Sequence, residues 1–137
     1  MNTLSTLINS VIQFEEDLSN VYKKITEKII IDDPFFENLE KETLKICRNI
    51  ERAYRDSVTD TLESTFFLNN VELPLIRIDE SASDYKKEIL KLESDCVQFY
   101  ENITKHMKDY NKIIYRYFAK LLEKHKLCYN KLKEIME

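Results

Sequence analysis

Not one of the 137 residues is glycine. Hairpins and tight turns draw on glycine wherever the backbone takes a positive φ, so a sheet-rich fold lacks its usual turn residue here. Only two prolines interrupt the chain. Long helices with few connections remain, and the apolar residues recur at the matching interval. Leu4, Leu7, Ile8, Val11, Leu18, Val21, Tyr22, Ile25 and Ile29 follow one another mostly in steps of three and four, the spacing of one helical stripe. With 34% charged and 43% apolar residues, the composition suits amphipathic helices around one core, and the length fits a single domain over 1–137.

Four helices are predicted, over about 3–31, 34–60, 83–107 and 110–136, with a crossover over about 63–82. Asp32-Asp33-Pro34 breaks the first helix and starts the second, with Asp33 as N-cap and Pro34 at the first helical position. The second stripe is Phe35, Leu39, Glu42, Ile46, Ile50, Ala53, Tyr54 and Val58. The crossover holds Phe66, Phe67, Leu68, Val71, Leu73, Pro74, Leu75, Ile76 and Ile78. Pro74 bars a helix interior there. The weak alternation over Leu75–Ile78 suggests a short strand, but it has no partner strand, so the segment is expected to lie along the bundle. Ser81 or Ser83 caps the third helix, with Asp84 in its first turn. Its stripe is Ile89, Leu92, Glu93, Cys96, Phe99, Tyr100, Ile103 and Met107. Asp109 is the expected cap of the fourth helix, whose stripe is Ile114, Phe118, Leu121, Leu122, His125, Cys128, Leu132 and Ile135. Short connections within each pair and one long return between pairs describe an antiparallel four-helix bundle.

Each stripe carries a polar residue. Glu15, Glu42 and Glu93 fall in phase with the core of the first three helices and His125 with that of the fourth, and Lys45 follows Glu42 by one turn. A charge on a core-facing stripe is costly unless it is paired, hydrogen-bonded or bound to a metal. Tyr22 and Tyr100 can donate to such carboxylates as well as fill the core. Cys47, Cys96 and Cys128 lie within three residues of Lys45, Glu93 and His125, and serve either as soft ligands or thiols or as small core hydrophobes. Sliding the fourth helix by one residue would bring Glu123 and Lys126 into the site positions instead, but His125 shares the stripe of Phe118, Leu121, Cys128 and Leu132.

Several classes are set aside. A net charge of −4 argues against nucleic acid, which wants a clustered positive surplus. No apolar run reaches the roughly 20 residues that span a bilayer, and Met1–Leu7 is not a basic-then-apolar leader. Three cysteines without paired spacing point to the reducing cytoplasm. No Ser/His/Asp order, glycine-rich phosphate loop or CxxC supports a hydrolase, kinase or zinc-ribbon reading.

The halves repeat. Glu15 is followed seven residues later by Tyr22, and Glu93 seven residues later by Tyr100. In this the chain resembles, over nearly its whole length, the rubrerythrin-like branch of the ferritin-like superfamily. There each half carries a Glu with a Tyr seven residues on, and a second helix with Glu-x-x-His, together holding two irons. By that resemblance Glu15 and Glu93 match the first-helix carboxylates. Glu42 matches the first motif's Glu, with Lys45 in place of its His, and His125 matches the second motif's His, with Leu122 in place of its Glu. The resemblance thus implies iron or another divalent metal on Glu15, Glu42, Glu93 and His125, Fe(II) oxidation by peroxide or oxygen, and an electron-donor protein as partner. The apolar crossover with Phe66 and Phe67 further suggests a homodimer. Lys45 supports the other reading: a metal-free bundle, structural or interaction protein in role, with a Lys–Glu–His core network supported by Tyr22 and Tyr100.

Overall fold

A computed structural model of the chain describes residues 3–28, 34–57, 72–76, 78 and 85–136. Helix α1 spans Leu4–Lys28, α2 Phe35–Ser57, α3 Tyr85–Tyr110 and α4 Lys112–Met136. No strand occurs among the described residues, and the chain is an all-α four-helix bundle.

Local chemistry sets two of the helix starts. Thr3 caps α1: its Oγ1 accepts from the Thr6 amide at 3.2 Å and its carbonyl from the Leu7 amide at 3.0 Å, satisfying donors that have no partner within the helix. Asn111 caps α4, its Oδ1 accepting from the amides of Ile113 and Ile114, each at 3.0 Å. The expected cap, Asp109, instead lies in the last turn of α3, which runs on to Tyr110. Asn111 accordingly does the work one would assign to either residue by type, because a single non-helical residue suffices to turn the chain. The predicted caps Asp33, Ser81, Ser83 and Asp84, the helix ends beyond Lys28 and Ser57, and Phe66, Phe67, Leu68 and Val71 lie outside the described residues.

Within each pair, α1 with α2 and α3 with α4, the helices run antiparallel, and the bonds Tyr22–Glu93 and Tyr100–Glu15 make α1 antiparallel to α3 as well. Late residues of α1 meet early residues of α2: Ser19 Oγ donates to Glu40 Oε1 at 2.5 Å, and the Tyr22 and Phe36 rings stack with centroids 6.1 Å apart. Tyr100 of α3 likewise meets Phe118 of α4. Helices α3 and α4 pack closely, α1 and α2 more openly, and a cleft remains between α1, α2 and α4, walled by Leu18, Tyr22, Phe36, Leu39 and Thr43. Of the crossover, Leu73, Ile76 and Ile78 pack on the core and Leu75 faces outward, with no strand formed over 72–76.

The two halves are related by a constant shift. Glu93 stands 78 residues after Glu15 and Tyr100 78 after Tyr22. The same shift carries buried Val11, Phe14 and Leu18 onto buried Ile89, Leu92 and Cys96, and buried Phe36, Thr43, Cys47 and Ile50 onto buried Ile114, Leu121, His125 and Cys128. Both helix pairs therefore turn the same faces inward.

Candidate functional site

Three of the four polar residues expected on core stripes meet at the centre. Glu15, Glu93 and His125 are each no more than 1% exposed. The His125 ring lies between the two carboxylates: Nε2 is 2.6 Å from Glu15 Oε1 and Nδ1 is 2.6 Å from Glu93 Oε2. With both ring nitrogens against carboxylate oxygens, the imidazolium is the form that donates at both edges, whereas a neutral ring would aim one lone pair at an anion. The Tyr100 ring stacks on the imidazole at a centroid distance of 4.9 Å and 16° between planes, which fixes the ring's plane.

The tyrosines complete the carboxylates reciprocally. Tyr100 Oη of α3 donates to Glu15 Oε1 of α1 at 2.8 Å, and Tyr22 Oη of α1 donates to Glu93 Oε1 of α3. Cys128 Sγ donates in turn to Tyr22 Oη at 3.4 Å. The remaining oxygen, Glu15 Oε2, receives Lys124 Nζ at 3.2 Å. Lys124 is 10% exposed, its stem lying against the cleft and its ammonium inside. The centre therefore holds two carboxylates, one imidazolium and one ammonium, and these charges sum to zero.

Burial and charge compete at each group. Burial by itself raises a carboxyl; at Glu15 the attraction of Lys124 and His125 and the hydrogen bonds from His125 and Tyr100 overcome it and hold the group well below the usual carboxylate range. Glu93 is lowered on the same terms, with burial opposed first by His125. Burial and Lys124 both work against a charged His125, yet Glu15 and Glu93 raise it well above the usual imidazole value. Lys124 is raised by the same two carboxylates against its burial. Burial lifts both tyrosines, and the adjacent carboxylates lift them further. Burial also pushes the Cys47 thiol up to about 12 and the Cys96 thiol to about 11, so both are neutral.

Helix α2 departs from expectation. Glu42 and Lys45 lie on its exposed side, and neither reaches the centre. The inward polar residue is Thr43, whose Oγ1 donates to the Leu39 carbonyl at 2.8 Å. One residue turns a helix by about 100°, and the buried set Phe36, Thr43, Ile46, Cys47, Ile50 and Ala53 places Glu42 at its edge and Lys45 on the far side. Steps of three and four admit either 42 or 43 between Leu39 and Ile46, and the choice falls to the apolar neighbours on both sides. The shift of 78 residues puts Cys47 where α4 carries His125, so the first half supplies a thiol in place of an imidazole. On α4 the register is that of His125: Glu123 is 69% exposed and faces Lys126 at 3.9 Å, while Leu122 is half-buried against the core. The cation expected from Lys45 comes instead from Lys124. It lies in phase with Leu121 and Cys128, three residues after the one and four before the other. His106 is exposed on α3.

No family model matches the chain, and no match to it was found among curated proteins or solved structures.

Proposed function

We propose that this chain is a metal-independent four-helix bundle, structural or interaction protein in role, whose core arrangement is specified by the Glu15–His125–Glu93 network with Lys124. One observation carries the reading. Every carboxylate oxygen of Glu15 and Glu93, and both ring nitrogens of His125, already have a protein partner. A two-iron centre draws on a surplus of anionic oxygen donors with free lone pairs. Here two bases match two acids, Glu42 lies outside, and Leu122 offers no donor, so the residues do not fit that cofactor. A closed polar network of this kind suits a role in fixing helix register, since any slip leaves a buried charge unpaired. The neutral buried thiols suit a reducing cytoplasm, and the net charge of −4 suits protein partners, a second copy included, over nucleic acid.

The second reading, an iron- and peroxide-handling protein of rubrerythrin type, draws on the reciprocal Tyr22–Glu93 and Tyr100–Glu15 bonds. Anaerobic Fe(II) loading of chelator-stripped protein, followed by elemental analysis, separates the two. The expected result is a chain that stays folded and cooperative without metal and retains no stoichiometric iron. About two irons per chain, lost in Glu15→Ala, would establish the second reading instead.

A further inference from the structure

One side of the His125 ring differs from the other. At Nε2 the partner is Glu15, already occupied by Tyr100 and Lys124. At Nδ1 the partner is Glu93, and a third donor stands close to this pair: Glu93, Cys96 and His125 each bring one ligand atom within 4.8 Å of the others, and all three residues are buried. Glu93 and Cys96 are three residues apart on α3 and so share a face.

We propose that Glu93 Oε2, Cys96 Sγ and His125 Nδ1 form a site for a zinc-class divalent cation. It rests on the reading that protons hold the resting network together. The ligand types are those of zinc, which takes thiolate, imidazole and carboxylate in one tetrahedral shell, whereas an all-oxygen and imidazole set would favour iron. Bonds of 2.0–2.3 Å in that shell put donors about 3.3–3.6 Å apart. Loading therefore parts Nδ1 from Oε2, now 2.6 Å apart, and draws Sγ inward by about 1 Å from the present limit of the cluster.

Two features prepare the site. A ligating histidine holds its orientation by donating the other ring N–H to a carboxylate. His125 Nε2 already does this to Glu15 Oε1 at 2.6 Å, with the ring clamped by Tyr100. The second feature is charge. At rest the centre sums to zero, with Glu15 and Glu93 negative, Lys124 and His125 positive and Cys96 neutral. The ion displaces two protons to solvent, one from His125 Nδ1 and one from Cys96 Sγ. Bonds from the ion to sulfur, nitrogen and oxygen replace the S–H and N–H bonds, no electron moves, and the sum is again zero. Exchange thus avoids the penalty of an uncompensated buried charge. The equivalent place in the first half has Leu18 and Cys47 where Cys96 and His125 stand, and Lys124 sits on Glu15, so one ion is expected and not two.

Cobalt(II) tests this as a spectroscopic stand-in for zinc. Chelator-stripped, reduced protein is titrated with Co(II) under argon. The expected result is about one ion per chain, a near-ultraviolet thiolate-to-cobalt band, release of about two protons per ion in weak buffer, and bleaching of the band by an equivalent of zinc. Cys96→Ser abolishes the band. Should that variant not fold, Cys47→Ser/Cys128→Ser leaves Cys96 as the sole thiol and keeps the band. A folded wild-type chain without the band, or a band lost in the sole-thiol variant, overturns the zinc site alone and leaves the metal-independent bundle standing. A stripped chain that is unfolded, or one that takes up two ferrous ions, overturns the reading on which it rests.

Discussion

Tyr22 and Glu93 are hydrogen-bonded across the bundle, 71 positions apart in the chain. Tyr100 and Glu15 return the bond at 2.8 Å. Each helix of this pair thus gives the other a donor and takes one back, and the two carboxylates are held at fixed places on either side of His125. Four charged groups sit in a space where any one of them alone would be expelled. The consequences can be measured.

Removing His125 leaves two buried carboxylates with only the Lys124 ammonium, held on Glu15, to oppose them. His125→Leu is expected to destabilise by about 3–5 kcal/mol, the usual result of breaking a buried pair from one side. Replacing Glu15, Glu93, Lys124 and His125 together by Leu, Leu, Met and Leu is expected to lose less than His125→Leu does alone, since no charge is stranded. Urea unfolding in the presence of a chelator compares the two. Losses that simply add across the four positions would refute the network as a unit.

The stability of the chelated protein should peak on the acid side of neutrality. Glu15 and Glu93 are lowered in the fold, so their contribution is complete above the ordinary carboxylate value of about 4.3 and is lost as the pH falls through the folded values. His125 is raised, so its contribution is complete below the ordinary imidazole value of about 6.5 and is lost as the pH rises from there toward the folded value. The midpoint of urea unfolding is therefore expected to decline between about pH 6.5 and 9, and His125→Gln to flatten that decline. A wild-type midpoint that climbs over the same range would contradict the doubly donating imidazolium.

Lys124 and the residues that sequence reasoning preferred can be set side by side. Glu42→Ala and Lys45→Ala alter exposed positions and are expected to change stability by no more than about 0.5 kcal/mol. Lys124→Met removes the ammonium 3.2 Å from Glu15, and a loss of several-fold that size is expected, about 2–3 kcal/mol, from the stranded carboxylate. Equal effects at positions 42 and 124 would mean that the helix phases are misplaced.

Thr104 carries the one buried side-chain polar atom without a hydrogen-bond partner among the described residues. An unmade hydrogen bond there costs about 1–3 kcal/mol. Thr104→Val keeps the shape and discards the hydroxyl, and should raise the melting temperature by a few degrees. A lower melting temperature would show that the hydroxyl is satisfied.

The three thiols should be slow. All are buried, and with Cys47 near 12 and Cys96 near 11 almost no thiolate is present at neutral pH. Ellman's reagent is expected to leave them untouched in the native protein and to count all three in urea. Rapid native labelling of Cys96 would place it outside the buried cluster.

The helices and their inner faces were legible in the sequence because helix packing writes its period into the chain. Glycine is absent, and stripes such as Ile89, Leu92, Cys96, Phe99 and Ile103 are long enough for one register to win. Glu15, Glu93 and His125 could be singled out for the same reason: each interrupts a run of apolar neighbours that fixes its direction. The pairing of Glu15 and Glu93 with tyrosines seven residues on was visible as a repeat, though not that each tyrosine serves the other half's carboxylate. The expectation that failed was α2, where Glu42 was placed on the core stripe: steps of three and four admit Glu42 and Thr43 equally, and only contacts with both neighbouring helices turn Thr43 inward. Lys124 was hidden for a related reason. A long side chain can reach inward or outward from the same Cα, and its direction was decided by the unpaired oxygen of Glu15, which lies 109 residues away and meets it only once α1 and α4 have packed.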